Sequence, residues 1–430
     1  MILSCRDVVP YSFFLYKFYL VGESMKLLAV LVLVFSLVSC EKKSEAIDKV
    51  GSMVQETKNS DDYTVQDKNN QSNSAEERIF TFDPVITIED EFIPLLNTNV
   101  FVKTADESLA EEIHQDLITY HKLVDQYHYY MENNATSKNL KIVNDRIHQK
   151  ESIVLDEKLF NLLRDSIDLM PVTHGYFNPF INPVLELYDG KFSPFPIENA
   201  DPKAVDIKNA LKTVLSYEQA TENFIFDESS YTLSFKNVPE VSLNVGAISK
   251  GFIAEEIAKK YRNGTYLLNL GNSTIYGQGR DYKIGVQSPY NNRGALFHIN
   301  LPSGLSLSTS GTTNNYYILQ DDGKTIRTHL IDPYTGYSND YYWSVTIVSD
   351  SAMLADALTT ALFNVGDTEE AMEIIEATRK AYGCTLEACF VKELSRRREE
   401  VELLMTDGFQ IYIDNEYKDV SVVDKKIIGK

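Results

Sequence analysis

The amino-acid sequence predicts an α+β fold, with a β-sheet core flanked by helices. Three observations support this. The 430-residue chain is 43% hydrophobic, enough for a sizeable core. Alternating or β-branched runs at 241–245, 266–270, 282–286, 343–348 and 401–413 read as strands. Helical patterns cover 250–262, 351–364 and 368–381, yet strands and helices interleave without the regular rhythm of a doubly wound sheet.

The first confident helix follows Thr104-Ala105-Asp106-Glu107, which has the pattern of a capping box. Behind it Leu109, Ile113, Leu117, Tyr120 and Val124 recur at helical spacing. His114, His121 and His128 are seven apart, hence on one helix face. Neighbours two turns apart are separated by roughly 10 Å, too far to share one metal ion, so they are packing or surface residues.

The N-terminus reads as an address. From Met25, the better candidate for the true start, one lysine precedes an apolar run from Leu27 to Val38. That run is short for a bilayer span and has the length of a signal-peptide core. Leu37-Val38-Ser39-Cys40 resembles a bacterial lipobox, which implies lipidation of Cys40 and anchorage to the cell membrane after export. The expected organisation is a leader over 1–39, the lipidated cysteine and a flexible polar tether over 40–78, and a folded domain over 79–430. Cys384 and Cys389 form either a disulfide or a free pair.

Lys plus Arg total 41 against 62 Asp plus Glu, a net charge of −21. Such a surface disfavours nucleic acid and anionic headgroups, and an anionic substrate needs a local metal or backbone donors.

Two segments offer such features. The run VSLNVGAISKGF passes from a strand through the Gly246 loop to a helix start, where backbone N–H groups can hold phosphate. It lacks the Lys and Ser/Thr of a P-loop, and an ordinary strand-to-helix turn explains it equally well. In SDSAMLADALTTALF, Asp356 and Thr360 project from one side of a helix and are hard oxygen ligands of the kind Mg²⁺ accepts. The alternative is a partly buried Asp bonded to a nearby hydroxyl. His329 precedes the turn-rich Ile331-Asp332-Pro333-Tyr334-Thr335-Gly336, and histidine is the residue type suited to a general base near neutral pH, although a lone histidine is more often structural.

Seven ordered motifs carry a family resemblance: VDQYHYY, HGYFNPFINPVLELY, NVGAISKGF, LLNLGNSTIYGQG, STSGTTNNYY, THLIDPYTG and SVTIVSDSAMLADALTTALFNVG. Together they resemble the ApbE family, the FAD:protein FMN transferases, from about residue 95 onward. The resemblance implies a Mg²⁺ ion on the Ala247 carbonyl, Asp356 and Thr360, with Thr359 a further candidate. It places flavin and pyrophosphate contacts on Tyr130, Leu187, Tyr188, Asp189 and Lys250, with Asn244 in the same ligand zone, and makes His329 the candidate base. Asn178, Asn244 and Asn314 stand where the family usually has Asp, Asp and Arg, and Tyr188 where Trp is common.

The implied activity is cleavage of FAD with attachment of FMN, through a phosphoester, to a threonine of an acceptor flavoprotein such as a respiratory-complex subunit, releasing AMP. Two alternatives share the same residues: a Mg²⁺-dependent FAD pyrophosphatase, and a non-catalytic FAD-binding lipoprotein.

Overall fold

The computed structural model describes residues 76–429, apart from 83–84, 89–90, 133–134, 137, 193–199, 238–240, 291–293, 313–315, 396–397 and 416–420. The expected leader, Cys40, nearly all of the tether and Asn314 lie outside the described residues.

A nine-stranded sheet forms the frame: β1 (Arg78–Thr81), β2 (Val100–Thr104), β3 (Tyr266–Leu270), β4 (Thr274–Gln278), β5 (Ser306–Gly311), β6 (Ser344–Ser349), β7 (Leu386–Ser395), β8 (Glu400–Met405) and β9 (Ser421–Ile427). Spatial order equals chain order. All neighbours pair antiparallel except β8 and β9, which are parallel, so the sheet is mixed.

Strand periodicity sends alternate side chains to two separate cores. Leu268, Leu270, Tyr276, Val345, Ile347, Ala388 and Phe390 face one core. Leu267, Ile275, Leu307, Val348, Cys389 and Val391 face the other. The first is covered by α1 (Glu107–Val124), α2 (Leu140–Gln149), α3 (Glu157–Val172), α4 (Ser249–Lys260), α5 (Ala352–Phe363) and α6 (Thr368–Tyr382). The second is closed by the three-stranded sheet of Tyr282–Gln287, Ala295–Leu301 and Ile413–Asn415. Helices packed on a large mixed sheet make this an α+β fold, as predicted. Both cysteines are free, and they pack against opposite faces: Cys389 in the second core, Cys384 against the first.

Several local expectations need correction. The capping box does not form: Thr104 ends β2 and donates its hydroxyl to Thr265 O at 2.8 Å, while Asp106 caps α1 by accepting from Leu109 N. His128 lies beyond the end of α1, so the three histidines do not share a helix face. Among the described residues, 241–245 join no sheet; the Asn144 side chain takes the place of a strand neighbour, accepting from Leu243 N (2.8 Å) and donating to Leu243 O (3.0 Å). The 401–413 run is not one strand, because β8 ends at Met405 and a 3-10 stretch, Asp407–Tyr412, leads into the second sheet. Gly408 at that break sits against the Glu387 carboxylate, 2.5 Å from where a Cβ would fall. Near the expected start of the folded domain, Glu77 pairs with Arg280 and approaches Lys103 at 3.7 Å.

Candidate functional site

Helix α4 begins without a side-chain cap, so its first N–H groups seek acceptors elsewhere. One finds Asp356 on α5: Gly251 N donates to Asp356 Oδ2 at 2.9 Å. Thr274, at the start of β4, donates to Asp356 Oδ1 at 3.1 Å. Asp356 is only 3% exposed, and no ion pair reaches it among the described residues. Burial raises its pKa, opposed first by the nearby Lys250 charge and then by these hydrogen bonds.

Asp356 is thus a buried carboxylate bonded to a hydroxyl, the second of the two sequence readings, and it is the Asp356 carboxylate that the start of α4 holds. Thr360 follows one turn later and is half-buried, as is Ala247 just before α4. Thr359 is fully buried; its hydroxyl donates to Asp356 O and accepts from Ser310, which leaves it committed to the fold.

No group of three or more His, Cys, Asp or Glu is placed to hold a metal among the described residues. One carboxylate with a carbonyl and a hydroxyl is instead the sparse oxygen set that suits Mg²⁺, which keeps waters and takes phosphate oxygens. The residues fit that ion.

The Gly246-Ala247 loop is fixed from behind. Asn244 Oδ1 accepts from Gly246 N (2.8 Å), and Asn244 Nδ2 donates to Asn182 Oδ1 (2.9 Å). Asn182 in turn donates to Glu186 Oε1 (2.8 Å), joining this loop to the turn that carries Leu187, Tyr188 and Asp189. Asn178 likewise donates to Leu215 O at 3.0 Å while accepting from Phe180 N. An aspartate can accept in these two places but cannot donate when ionised, which accounts for both amides.

Tyr188 and His329 converge on Phe192. The Tyr188 and Phe192 rings stack at 5.4 Å, and the His329 ring meets Phe192 edge-on at 6.4 Å. Tyr188 OH donates to Gly336 O at 2.8 Å, tying its turn to the one that follows His329. Within that second turn Asp332 accepts from Tyr334 N, Thr335 Oγ1 and Asn339 Nδ2. His329 itself is exposed at the end of the strand Ile326–Thr328. Arg327, two residues earlier, makes a forked pair with Asp201 (3.0 and 2.8 Å) and donates to Ser338 O. Asp189 is exposed, and partial burial still raises its carboxyl pKa.

Tyr130 belongs to a different cluster. It is 1% exposed, and its hydroxyl donates to Asp125 beside His121 and His128. Its ring presents no free face in this arrangement. Sequence reasoning missed Thr274, Asn182, Phe192 and the Arg327–Asp201 pair. Each acts through a partner far away in the chain, and no local spacing signals that.

FAD:protein FMN transferases are similar to this chain: one from Klebsiella pneumoniae is 29% identical over 265 residues, 61% of this chain and 77% of that protein. One from Salmonella typhimurium is 24% identical over 283 residues, 63% and 72% respectively. Against a second Klebsiella pneumoniae relative, 26% identical over 229 residues (51% of this chain), the chain spans 63% of the relative's length. The crystal structure of an ApbE protein from Thermotoga maritima shares the fold at TM-score 0.60 and 22% identity, covering 79% of this chain and all of that one. The flavin transferase ApbE from Vibrio cholerae does so at 0.59 and 20%, with the same coverage. The ApbE family model matches residues 96–386, well over half of the sequence, and the chain belongs to that family.

Proposed function

We propose that this protein is a Mg²⁺-dependent FAD:protein FMN transferase. The observation that carries the reading is Asp356: a buried carboxylate with no ion-pair partner among the described residues, held where α4 begins. Bound through Ala247 O, Asp356 and Thr360, Mg²⁺ would neutralise phosphate charge and steady the departing AMP.

The remaining roles fall to the chain's own side chains. Tyr188, Leu187 and Asp189 border the flavin, while Tyr130, held in the Asp125–His121–His128 cluster, is left out of that contact. Lys250 meets the pyrophosphate, its positive charge offsetting the phosphate charge, while Asn244 sets the Gly246-Ala247 loop. His329 accepts the proton of an incoming threonine hydroxyl. The threonine oxygen forms a bond to the FMN phosphorus, the bridging P–O bond breaks, and AMP leaves with the electron pair. The acceptor is a flavoprotein subunit of the respiratory-complex type.

The lipobox at Cys40 supports export and lipid anchorage on the outer side of the cell membrane; among the described residues no helix is long and apolar enough to cross a bilayer. The test is incubation of the full chain with FAD, Mg²⁺ and a threonine-bearing acceptor. A fluorescent acceptor that survives denaturation is expected. Free FMN plus AMP would make the protein a pyrophosphatase, and intact bound FAD a storage protein; either result ends the transfer reading.

A further inference from the structure

Asp356 is the end point of two hydroxyl chains that start on a single strand. On the helix-facing side of β5, Ser308 Oγ donates to Thr274 Oγ1 (3.4 Å), and Thr274 donates to Asp356 Oδ1 (3.1 Å). One step along, Ser310 Oγ donates to Thr359 Oγ1 (3.0 Å), and Thr359 donates to the main-chain carbonyl of Asp356 (2.8 Å). Thr274, Ser308 and Thr359 are all 0% exposed.

The direction of each bond is forced. An ionised carboxylate only accepts and a hydroxyl has one proton to give, so Thr274 must donate forward and Ser308 must supply Thr274 from behind. Gly251 N holds the second carboxylate oxygen. The Lys250 main-chain N–H is directed at the same carboxylate; together these donors fix its plane, and its four acceptor sites leave room for another ligand. Core packing does not require this: a valine at 274 would keep the volume and the β-branching. A strand that spends consecutive inward positions on hydroxyls aimed at one aspartate gives up apolar burial there.

We infer that Thr274, backed by Ser308, is a positioning residue for Asp356, setting the carboxylate orientation in which it holds a divalent cation. The inference rests on the metal role proposed above. Partners that orient a metal ligand typically change affinity by about 10–100-fold when removed, whereas a purely structural hydroxyl would change only stability.

Mn²⁺ binding to the full chain, without flavin, separates these cases by electron paramagnetic resonance, with thermal midpoints recorded in parallel. T274V is expected to weaken Mn²⁺ binding by roughly 10–100-fold, T274S to restore it, and D356N to abolish it. Native affinity in T274V, with binding lost in D356N, overturns the positioning role and leaves the metal assignment standing. Native affinity in D356N overturns both. A T274S that binds as weakly as T274V, at an equal midpoint, also overturns the inference. Should T274V not fold, S308A carries the test: weakened Mn²⁺ binding is expected, and native affinity counts against the proposal.

Discussion

The main-chain N–H of Gly251 and Oδ2 of Asp356 lie 2.9 Å apart, which fastens the first turn of α4 to the second turn of α5. The contact needs glycine for reasons of space. A Cβ at 251 would fall 2.2 Å from Ala352 O and 2.7 Å from Asp356 Cβ, and a backbone carbonyl cannot swing aside. Gly251→Ala should therefore push the helices apart, at a cost of about 1–3 kcal/mol for overpacking, and should also lower flavin transfer. A native thermal midpoint in this variant would show that the interface yields more easily than the geometry implies.

Substitutions at Asp356 should separate stability from chemistry. At 3% exposure its carboxylate is a buried acceptor. Asp356→Ala leaves Gly251 N and the Thr274 hydroxyl without a partner, each about 1–3 kcal/mol, so the fold should weaken together with activity. Asp356→Asn keeps the shape and one acceptor, so it should unfold closer to the native midpoint yet transfer no FMN at any Mg²⁺ concentration. Transfer by the Asn variant would remove the assigned ligand.

His329 is exposed at the end of its strand and touches Phe192 edge-on, so its loss should leave the fold intact. His329→Gln should slow FMN transfer by about 10²–10⁴-fold, the usual contribution of a general base. FAD affinity, followed by quenching of flavin fluorescence, should remain near native. Parallel loss of affinity and rate would make His329 a binding residue instead.

The Arg327–Asp201 pair holds the strand leading to His329. Tyr317 OH also donates to Asp201 at 2.8 Å, and Arg327 lies over the Tyr337 ring at 5.2 Å. Arg327→Met should cost about 1.5–3 kcal/mol, the range for hydrogen bonds to charged groups, and should raise the KM for FAD. Arg327→Lys restores the charge but not the fork, so only partial recovery is expected. Full recovery would show that charge alone matters.

His121 gives the protein a definite response to acid. Burial pushes its pKa down to about 4, against the pull of Asp125, with His128 and Lys122 nearby adding to the depression. Its neighbours also include the buried Tyr130 hydroxyl, and Leu96 N donates to its Nδ1. Between about pH 6.5 and 4 the unfolded chain binds a proton here that the folded chain refuses. Stability is thus complete above that window and falls as pH drops through it, by about 3 kcal/mol at the bottom. Thermal midpoints of the native protein and His121→Gln across this range should converge toward low pH, and parallel curves would count against the assignment.

Much of the frame was legible because its physics is local. The heptad-like spacing of Leu109 to Val124 gave α1, and the β-branched run around Val345 gave β6 within a residue. Failures occurred where a distant side chain decides the outcome. Asn144 replaces a strand partner for Leu243 from 99 positions away, and Glu387 crowds the chain at Gly408. In the site, the pairing of Asp356 with Thr360 was readable from helical spacing. The burial of Asp356 was not, because α5 is covered both by α4 and by the sheet, and its sequence has no polar stripe to mark an outer face.

The nine strands of the large sheet stand side by side in the order of their synthesis. Zipping neighbours in that order needs no long search, except at the seam between β2 and β3, where Thr104 meets Thr265 across 161 positions. Closing a loop of that length costs roughly 4–5 kcal/mol by the logarithmic law for flexible chains. Nearly all the topological difficulty of the protein is concentrated on that one edge. The α1–α3 block lies inside that excursion, so contacts that look remote from the chemistry govern whether β1 and β2 ever join the rest of the sheet.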